Sequence, residues 1–472
     1  MIKAPSIAVH VMKKSRLLIA GILALQALVT WSRIRTSAFF ADDFLNFEIF
    51  REYPGFSLHY LIRDVFGQVA PGFRFVQGAF FELVGVTYEY AMALLIALSM
   101  FLTCLVYAFL RRFDCRNWAI FCGLVVYVLM PQLTSAQLWW SASVHTLFST
   151  ALILASAVCL AGPDGRGPTR AGRIMSVVYF GFALLFTAKV AVALVFLVGV
   201  FLYTQRGKSS REALPQAVRV LLPFVAPLVV YAWLVMRFSP APGGPVATHN
   251  LDVIIPYAWT QISDTTLAAM VGLGRHGIAT PWATLVAAVL VLFIMTTGAR
   301  REPAILLLWA GSLGYIVASS AMIAIERAAV FPEGAYLPRY CVENVTFLVM
   351  VSVVALSRSE LGTGGRWVAV LAAVVVACNL QVQSAKTAPD GMIAFARQYV
   401  SNLKSSLRDV ESAPDVVVLD SVVPEELMPA WMQQYRRIDM FLPLFTSRYE
   451  IAGPERATYQ VDRSGRLEKI AR

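Results

Sequence analysis

Phe39-Phe40-Ala41-Asp42-Asp43-Phe44 sets two carboxylates side by side just after the first apolar segment of the chain. A free aspartate, with a pKa of about 3.9, is ionised in water and is a weak base there. Two of them at the edge of a low-dielectric region push at least one pKa upward, which suits taking a proton from an attacking hydroxyl. The plainer reading is a solvated pair that marks a membrane boundary, and the pair alone does not choose. Further along the same loop stand His59, Arg63, Asp64, Gln68 and the element Ala70-Pro71-Gly72-Phe73-Arg74. Phe56, Leu58, Tyr60, Leu61, Ile62, Val65 and Phe66 form an apolar stripe among these charges. The stripe predicts an amphipathic helix lying on a membrane surface, with Pro71-Gly72 turning the chain back.

Composition says what must position such a loop. Of 472 residues, 58% are hydrophobic and 15% charged, against roughly 45–50% apolar and about 25% charged for a soluble domain. The chain therefore reads as an all-α polytopic membrane protein. Its formal charge of +11 is spread through short segments between apolar runs. That pattern is a topology signal and argues against a nucleic-acid partner.

Eleven apolar segments predict about eleven transmembrane helices, near 17–32, 90–110, 118–131, 142–161, 174–188, 190–204, 219–237, 281–298, 304–325, 341–357 and 367–383. Lys13, Lys14 and Arg16 precede the first and put the N-terminus in the cytoplasm. The six segments then falling on that side hold 18 Lys and Arg residues. The pair within 174–204 is read as two short spans, because a single helix would invert all later loops and break this bias. Bulky Trp31 makes a poor signal-peptide cleavage site, so the first span is expected to remain. The six cysteines form no Cys-x-x-Cys pair and imply neither a metal site nor a disulfide framework.

This reading gives a membrane module over 1–383 with the first extracytoplasmic loop at 33–88. Residues 384–472 become a small extracytoplasmic α/β domain with twelve basic and twelve acidic residues. Helical spacing over 391–410, a buried strand at Asp415–Leu419 and a hairpin about Asp462-Arg463-Ser464-Gly465 build it. The external segment 238–280 opens on a Pro- and Gly-rich turn and continues as an interfacial helix over Leu251–Leu273, placed to roof a site. Inner-membrane, multi-pass localisation follows from the whole pattern.

An acidic pair directly after span one, followed by a helix in a long loop, resembles the GT-C superfamily of polytopic glycosyltransferases. The Ala-Asp-Asp-Phe start and the Ala-Pro-Gly-x-Arg element resemble uncharacterised bacterial members of it. The resemblance implies a polyprenyl-phosphate-linked sugar donor, an envelope glycan, lipid or protein acceptor, and transfer on the outer face with inversion. Asp42 or Asp43 would be the general base. The polyprenyl phosphate is a good leaving group, so the remaining need is for cations at the phosphate.

Lys189, in Phe186-Thr187-Ala188-Lys189-Val190, resembles the Thr-Lys element of such enzymes; it also reads as a snorkelling lysine. Arg339-Tyr340 could hold phosphate bidentately or anchor the interface. Arg74 is the third candidate cation, and His59 and Gln68 complete the expected substrate-binding set. Trp139-Trp140 with His145 reads as an aromatic belt or a sugar-stacking platform, and Glu326-Arg327 as a local ion pair. No Asp-x-Asp or His cluster points to a metal or another cofactor, although the Asp pair could hold a divalent cation weakly. The rival classes are a transporter, a flippase and a polymerase of envelope lipids or glycans. Spans almost free of ionisable residues weigh against the first. A late loop without histidine weighs against the last.

Overall fold

The computed structural model describes residues 4–470 except 54, 66–67, 239–249, 272–279, 387–389, 412, 414–415, 430–431 and 433–434. Its first half runs α1 (Ala4–Ile34), α2 (Asp42–Glu52), α3 (Leu58–Leu61), β1 (Asp64–Val65), β2 (Gln68–Val69), α4 (Pro71–Val84), α5 (Tyr88–Arg112), α6 (Asn117–Val128), α7 (Pro131–Gln137), α8 (Trp140–Ala161), α9 (Arg170–Leu184) and α10 (Ala193–Thr204). There follow α11 (Ser210–Leu221), α12 (Val225–Phe238), α13 (Leu251–Thr260), α14 (Thr280–Ala299), α15 (Ile305–Arg327), α16 (Val342–Arg358), α17 (Thr363–Lys386) and α18 (Asp390–Asp409). The chain closes with β3 (Val417–Leu419), α19 (Ile438–Phe441), β4 (Glu450–Ala452), β5 (Tyr459–Val461) and β6 (Leu467–Lys469).

All eleven apolar segments fall on helices. Eight helices among the described residues are long and apolar enough to cross a membrane, and nine if the pair α6–α7, bent by 46°, counts as one. The bend sits at Met130-Pro131, where proline opens the second helix because its missing N–H costs nothing at a helix start. The helices α9 and α10, of 15 and 12 residues, are each shorter than the roughly 20 residues a full crossing needs. They are two separate helices running in opposite directions. Leu185, just past α9, accepts from Gly72 N at the loop end (2.8 Å), whereas Arg206, just past α10, donates to Gly165 O at the other (3.0 Å).

Polar side chains and small residues hold the bundle, as lipid-facing helices require. Gln137 Nε2 donates to Ser99 Oγ (2.7 Å) and Thr103 Oγ1 to Gln26 Oε1 (3.1 Å), linking α7, α5 and α1. Between α10 and α15 the backbones nearly touch: a Cβ on Gly311 would lie 3.0 Å from the Gly199 Cα. Only glycine permits this crossing, which brings the turn before α10 beside the end of α15.

The surface helix expected over Phe56–Phe66 is a correction. Only the four residues of α3 are helical, and β1 and β2 pair as a small antiparallel hairpin; residues 66–67 lie outside the described residues. The helix that matters is α2, and it is not on the surface. Every residue from Asp43 to Phe50 is buried. One side meets the bundle, with Phe47 stacked on Phe81 at 5.2 Å. The opposite side meets the C-terminal region, with Phe44 at 4.9 Å from Phe441.

That region is an α/β unit whose sheet runs β4-β3-β5-β6, with β3 parallel to both neighbours and β5–β6 antiparallel. Helix α18 lays Ile393, Ala396, Tyr399, Leu403 and Leu407 into the core. The region shares one hydrophobic core with the bundle instead of standing apart. Of the expected roof, α13 and a π-helical continuation (Gln261–Ala268) are described. They cover the segment before α16, where Thr265 Oγ1 donates to Ala335 O (2.8 Å). The turn over 239–245 lies outside the described residues.

Candidate active site

Between the start of α2 and the ends of α8, α15 and α16 lies a partly enclosed cavity. Asp42, Trp139, Lys189, Arg327, Arg339 and Glu343 line it, with Asn46, Gln68, Phe73, Ser141, His145, Thr187, Glu326 and Tyr340 among the other wall residues. A strained residue leads into α2. Ala41 has φ 51° and ψ −122°, a conformation that costs a non-glycine residue about 1–3 kcal/mol. Burial, and a hydrogen bond from Ala41 N to Leu427 O (2.9 Å), hold it there. The strain puts both aspartates in the first turn of α2, where the helix dipole favours negative charge.

The two aspartates then part company. Asp43 is fully buried and turned away from the cavity. Its Oδ1 accepts from Ser141 N (2.7 Å) and Ser141 Oγ (2.6 Å), and its Oδ2 from Phe40 N (3.2 Å). Burial and then the neighbouring charge of Asp42 raise its carboxyl well above the ordinary range, against those donors. Asp42 faces the cavity, and its Oδ1 is buried with no hydrogen-bond partner. Burial pushes its carboxyl up to about 6, while Arg339, the adjacent Trp139 indole and Arg327 pull it back. The indole N–H lies beside Asp42 without closing a full hydrogen bond. An acceptor atom on a group poised near 6 is suited to general-base work at neutral pH.

Three cations face the same space in different states. Lys189 is spoken for: its Nζ donates to Glu343 Oε2 (2.6 Å) and Tyr340 O (3.1 Å). Arg339 stacks on Trp139, with its guanidinium carbon 4.0 Å from the ring centroid. Stacking fixes the plane and leaves the edge N–H groups available. Neither Arg327 nor Arg339 has a salt bridge or side-chain hydrogen bond among the described residues. Two guanidiniums lining one cavity without a salt bridge are chemically able to pair with an acceptor-rich anion such as phosphate.

Of the sequence candidates, Asp42, Lys189, Arg339, Tyr340 and Gln68 meet in this cavity. Gln68 bridges its wall, donating to Glu326 Oε2 (3.1 Å) and accepting from Thr187 Oγ1 (3.4 Å). His59 does not reach the cavity. It is exposed beside Tyr53, because the short α3 ends before the hairpin carries the chain inward. Arg74 lies behind the wall, 1% exposed, and donates to Asn46 Oδ1 (2.8 Å); α4 buries it beneath α2. Glu326 and Arg327 form no ion pair, since Gln68 engages the first and the second turns into the cavity. The Trp pair is not an exposed belt either. Trp139 walls the cavity, and Trp140 is buried with its indole donating to Gln77 (2.7 Å). His145 stacks on Phe73 at 3.7 Å and its Nδ1 contacts Phe186 O (2.7 Å).

Arg327, Glu343, Asn46 and Ser141 were not legible as site residues. Glu343 alone carries a signal, as a carboxylate inside an apolar segment. Among the described residues no three His, Cys, Asp or Glu side chains converge to hold a metal ion.

No protein-family model matches the chain, and no curated protein does. Among solved structures, ArnT from Cupriavidus metallidurans in the apo state is similar over 89% of this chain and 85% of that one, with a TM-score of 0.51 and 14% identity. The same protein bound to undecaprenyl phosphate is similar over 88% and 84%, with a TM-score of 0.48 and 14% identity. The likeness to the apo structure is one of fold: this chain folds as a polytopic helix bundle of the kind seen in ArnT.

Proposed function

We propose that the protein is an integral membrane glycosyltransferase that moves a sugar from a polyprenyl-phosphate-linked donor to an envelope glycan, lipid or protein acceptor. One observation carries the reading: the unpartnered Asp42 oxygen shares a cavity with the unpaired guanidiniums of Arg327 and Arg339. The fold it shares with ArnT supports it by analogy only.

The acceptor hydroxyl attacks the anomeric carbon while Asp42 takes its proton. The new carbon–oxygen bond forms on one face as the bond to the donor phosphate breaks on the other, so the configuration inverts. The electron pair leaves on the phosphate oxygen, and Arg327 and Arg339 stabilise that charge as it develops. Lys189, neutralised by Glu343, holds the Tyr340 carbonyl and so positions Arg339. Asp43 is a positioning residue that locks α2 to α8. The membrane module 1–383 then presents the site at the outer face of the inner membrane, with the N-terminus cytoplasmic. The tail 384–472 is extracytoplasmic and braces α2.

The test is the cellular pool of polyprenyl-phosphate sugars, measured by mass spectrometry in a deletion strain. One lipid-linked sugar accumulates, wild type clears it, and Asp42→Asn does not. An unchanged pool, with Asp42→Asn behaving as wild type, overturns the reading.

A further inference from the structure

At the end of the bundle away from Asp42, a second charged groove has been built with care. Its wall is the loop between α8 and α9, where Gly162, Gly165 and Gly167 take φ values of +74°, +62° and +107°. These conformations favour glycine, and a Cβ on Gly162 would lie 1.9 Å from the Gly167 carbonyl. Arg112 and Arg206 pin the loop through Pro163 O (3.1 Å) and Gly165 O (3.0 Å). The rigid loop sets Arg166 beside Arg173 of α9 and Arg219 of α11, with Glu212 and Gln216 on the far wall.

The groove sets three guanidiniums against one carboxylate, Glu212, which accepts from Ser209 N (3.2 Å), while the neutral Gln216 accepts from Lys208 Nζ (2.8 Å). None of the three arginines has a salt bridge or side-chain hydrogen bond among the described residues, and Arg173 Nε is buried without a partner. A merely solvated basic face would leave that N–H in water. The residues next along both helices are apolar and exposed: Ile174, Val218 and Leu222. Guanidiniums and lipid-facing side chains therefore meet at one level, which is the level of phospholipid headgroups.

We propose that this groove binds the phosphate of an anionic phospholipid from the leaflet opposite the carboxylate cavity, with the acyl chains lying along Ile174 and Leu222. The inference needs the membrane setting but not the transferase reading.

Native mass spectrometry of the full chain in mixed phosphatidylglycerol and phosphatidylcholine micelles tests it. Wild type is expected to retain phosphatidylglycerol over phosphatidylcholine by roughly tenfold or more, and Arg173→Gln with Arg219→Gln to bring the ratio near one. Arg300→Gln with Arg366→Gln, at the same end but outside the groove, should keep the wild-type ratio. If the double groove variant fails to fold, Arg166→Gln on the loop is expected to lower the ratio by a few fold. Equal retention of both lipids by wild type, or an equal loss in the control variant, overturns the proposal. So does displacement of the lipid by an equal concentration of glycerol 1-phosphate, which would make this a soluble-anion site.

Discussion

At one end of the bundle Glu302 holds Arg206 and Arg358, each at 2.8 Å, and Arg358 also donates to Phe113 O at 2.7 Å. At the other end Arg327, Arg339 and Asp42 Oδ1 face a shared cavity with no such partners. Both ends combine arginines and carboxylates at the limits of long apolar helices, and a chain able to pair its charges at one end could do so at the other. Leaving buried polar groups unpaired costs stability, so the difference between the Glu302 cluster and the carboxylate cavity marks the cavity as a place where a partner from outside the chain would complete the set. Asp42 and Asp43 repeat the contrast within two residues: one is spent on structure and the other kept open.

The largest expected break in that contrast is Asp42→Asn. It removes the open acceptor and should lower the transfer rate by about 10²–10⁴-fold, the usual worth of a general base, with the thermal midpoint held. The proposed base is the ionised form of a carboxyl at about 6. Turnover measured against pH should therefore fall as pH drops through about 6 and level off above it.

Next comes Asp43→Ala, which leaves Ser141 N, Ser141 Oγ and Phe40 N without an acceptor. A loss of about 3 kcal/mol in stability is expected, read as a lower thermal midpoint alongside lost activity. The two aspartates would then separate cleanly, one by rate and one by melting.

Glu48 sharpens the comparison from another side. It lies on α2, away from the cavity wall, with both oxygens buried and unpartnered, and burial pushes it up to about 9. The folded chain therefore keeps a proton that the unfolded chain releases above about 4.5. Native stability declines as pH rises from there toward 9. Glu48→Gln lacks this term, so it should be more stable than wild type at pH 7 by up to about 3 kcal/mol, and no more stable at pH 4. A melting curve at each pH decides it. An unpaired carboxyl outside the site resolves its cost by staying protonated, not by binding.

Arg327→Gln or Arg339→Gln should each weaken the donor by about 10–100-fold in KM, from about 1.5–3 kcal/mol per charged hydrogen bond. Stability should hold, since no carboxylate partner is orphaned. The smallest effect is at the paired end. Glu302→Gln leaves two arginines facing each other and is expected to cost about 1–2 kcal/mol of stability, with KM for the donor unchanged.

Much of the scaffold was legible because apolar length is a local property. The eleven apolar runs each became helix, and the hairpin about Asp462–Gly465 formed with Gly465 at φ +88°. Less of the site was. The apolar stripe from Phe56 to Phe66 suggested a surface helix, yet only Leu58–Leu61 is helical, and β1 and β2 form a short hairpin that pairs Asp64 with Val69 and Val65 with Gln68. Arg327 looked paired with Glu326, its neighbour in sequence. On a helix adjacent side chains point about 100° apart, and Gln68 took the glutamate.

By itself the sequence determined that the chain is a membrane helix bundle, where its apolar runs lie, and that an acidic pair follows the first of them. These follow from composition and spacing, which need no knowledge of neighbours. Only the tertiary structure decided which aspartate meets the cavity, that Lys189 is neutralised while two arginines are not, and that the C-terminal region clasps α2. Those outcomes depend on residues hundreds of positions apart, such as Ala41 with Leu427 and Phe44 with Phe441. Hydrogen bonding and burial are satisfied in space, and no local pattern carries the address of the partner.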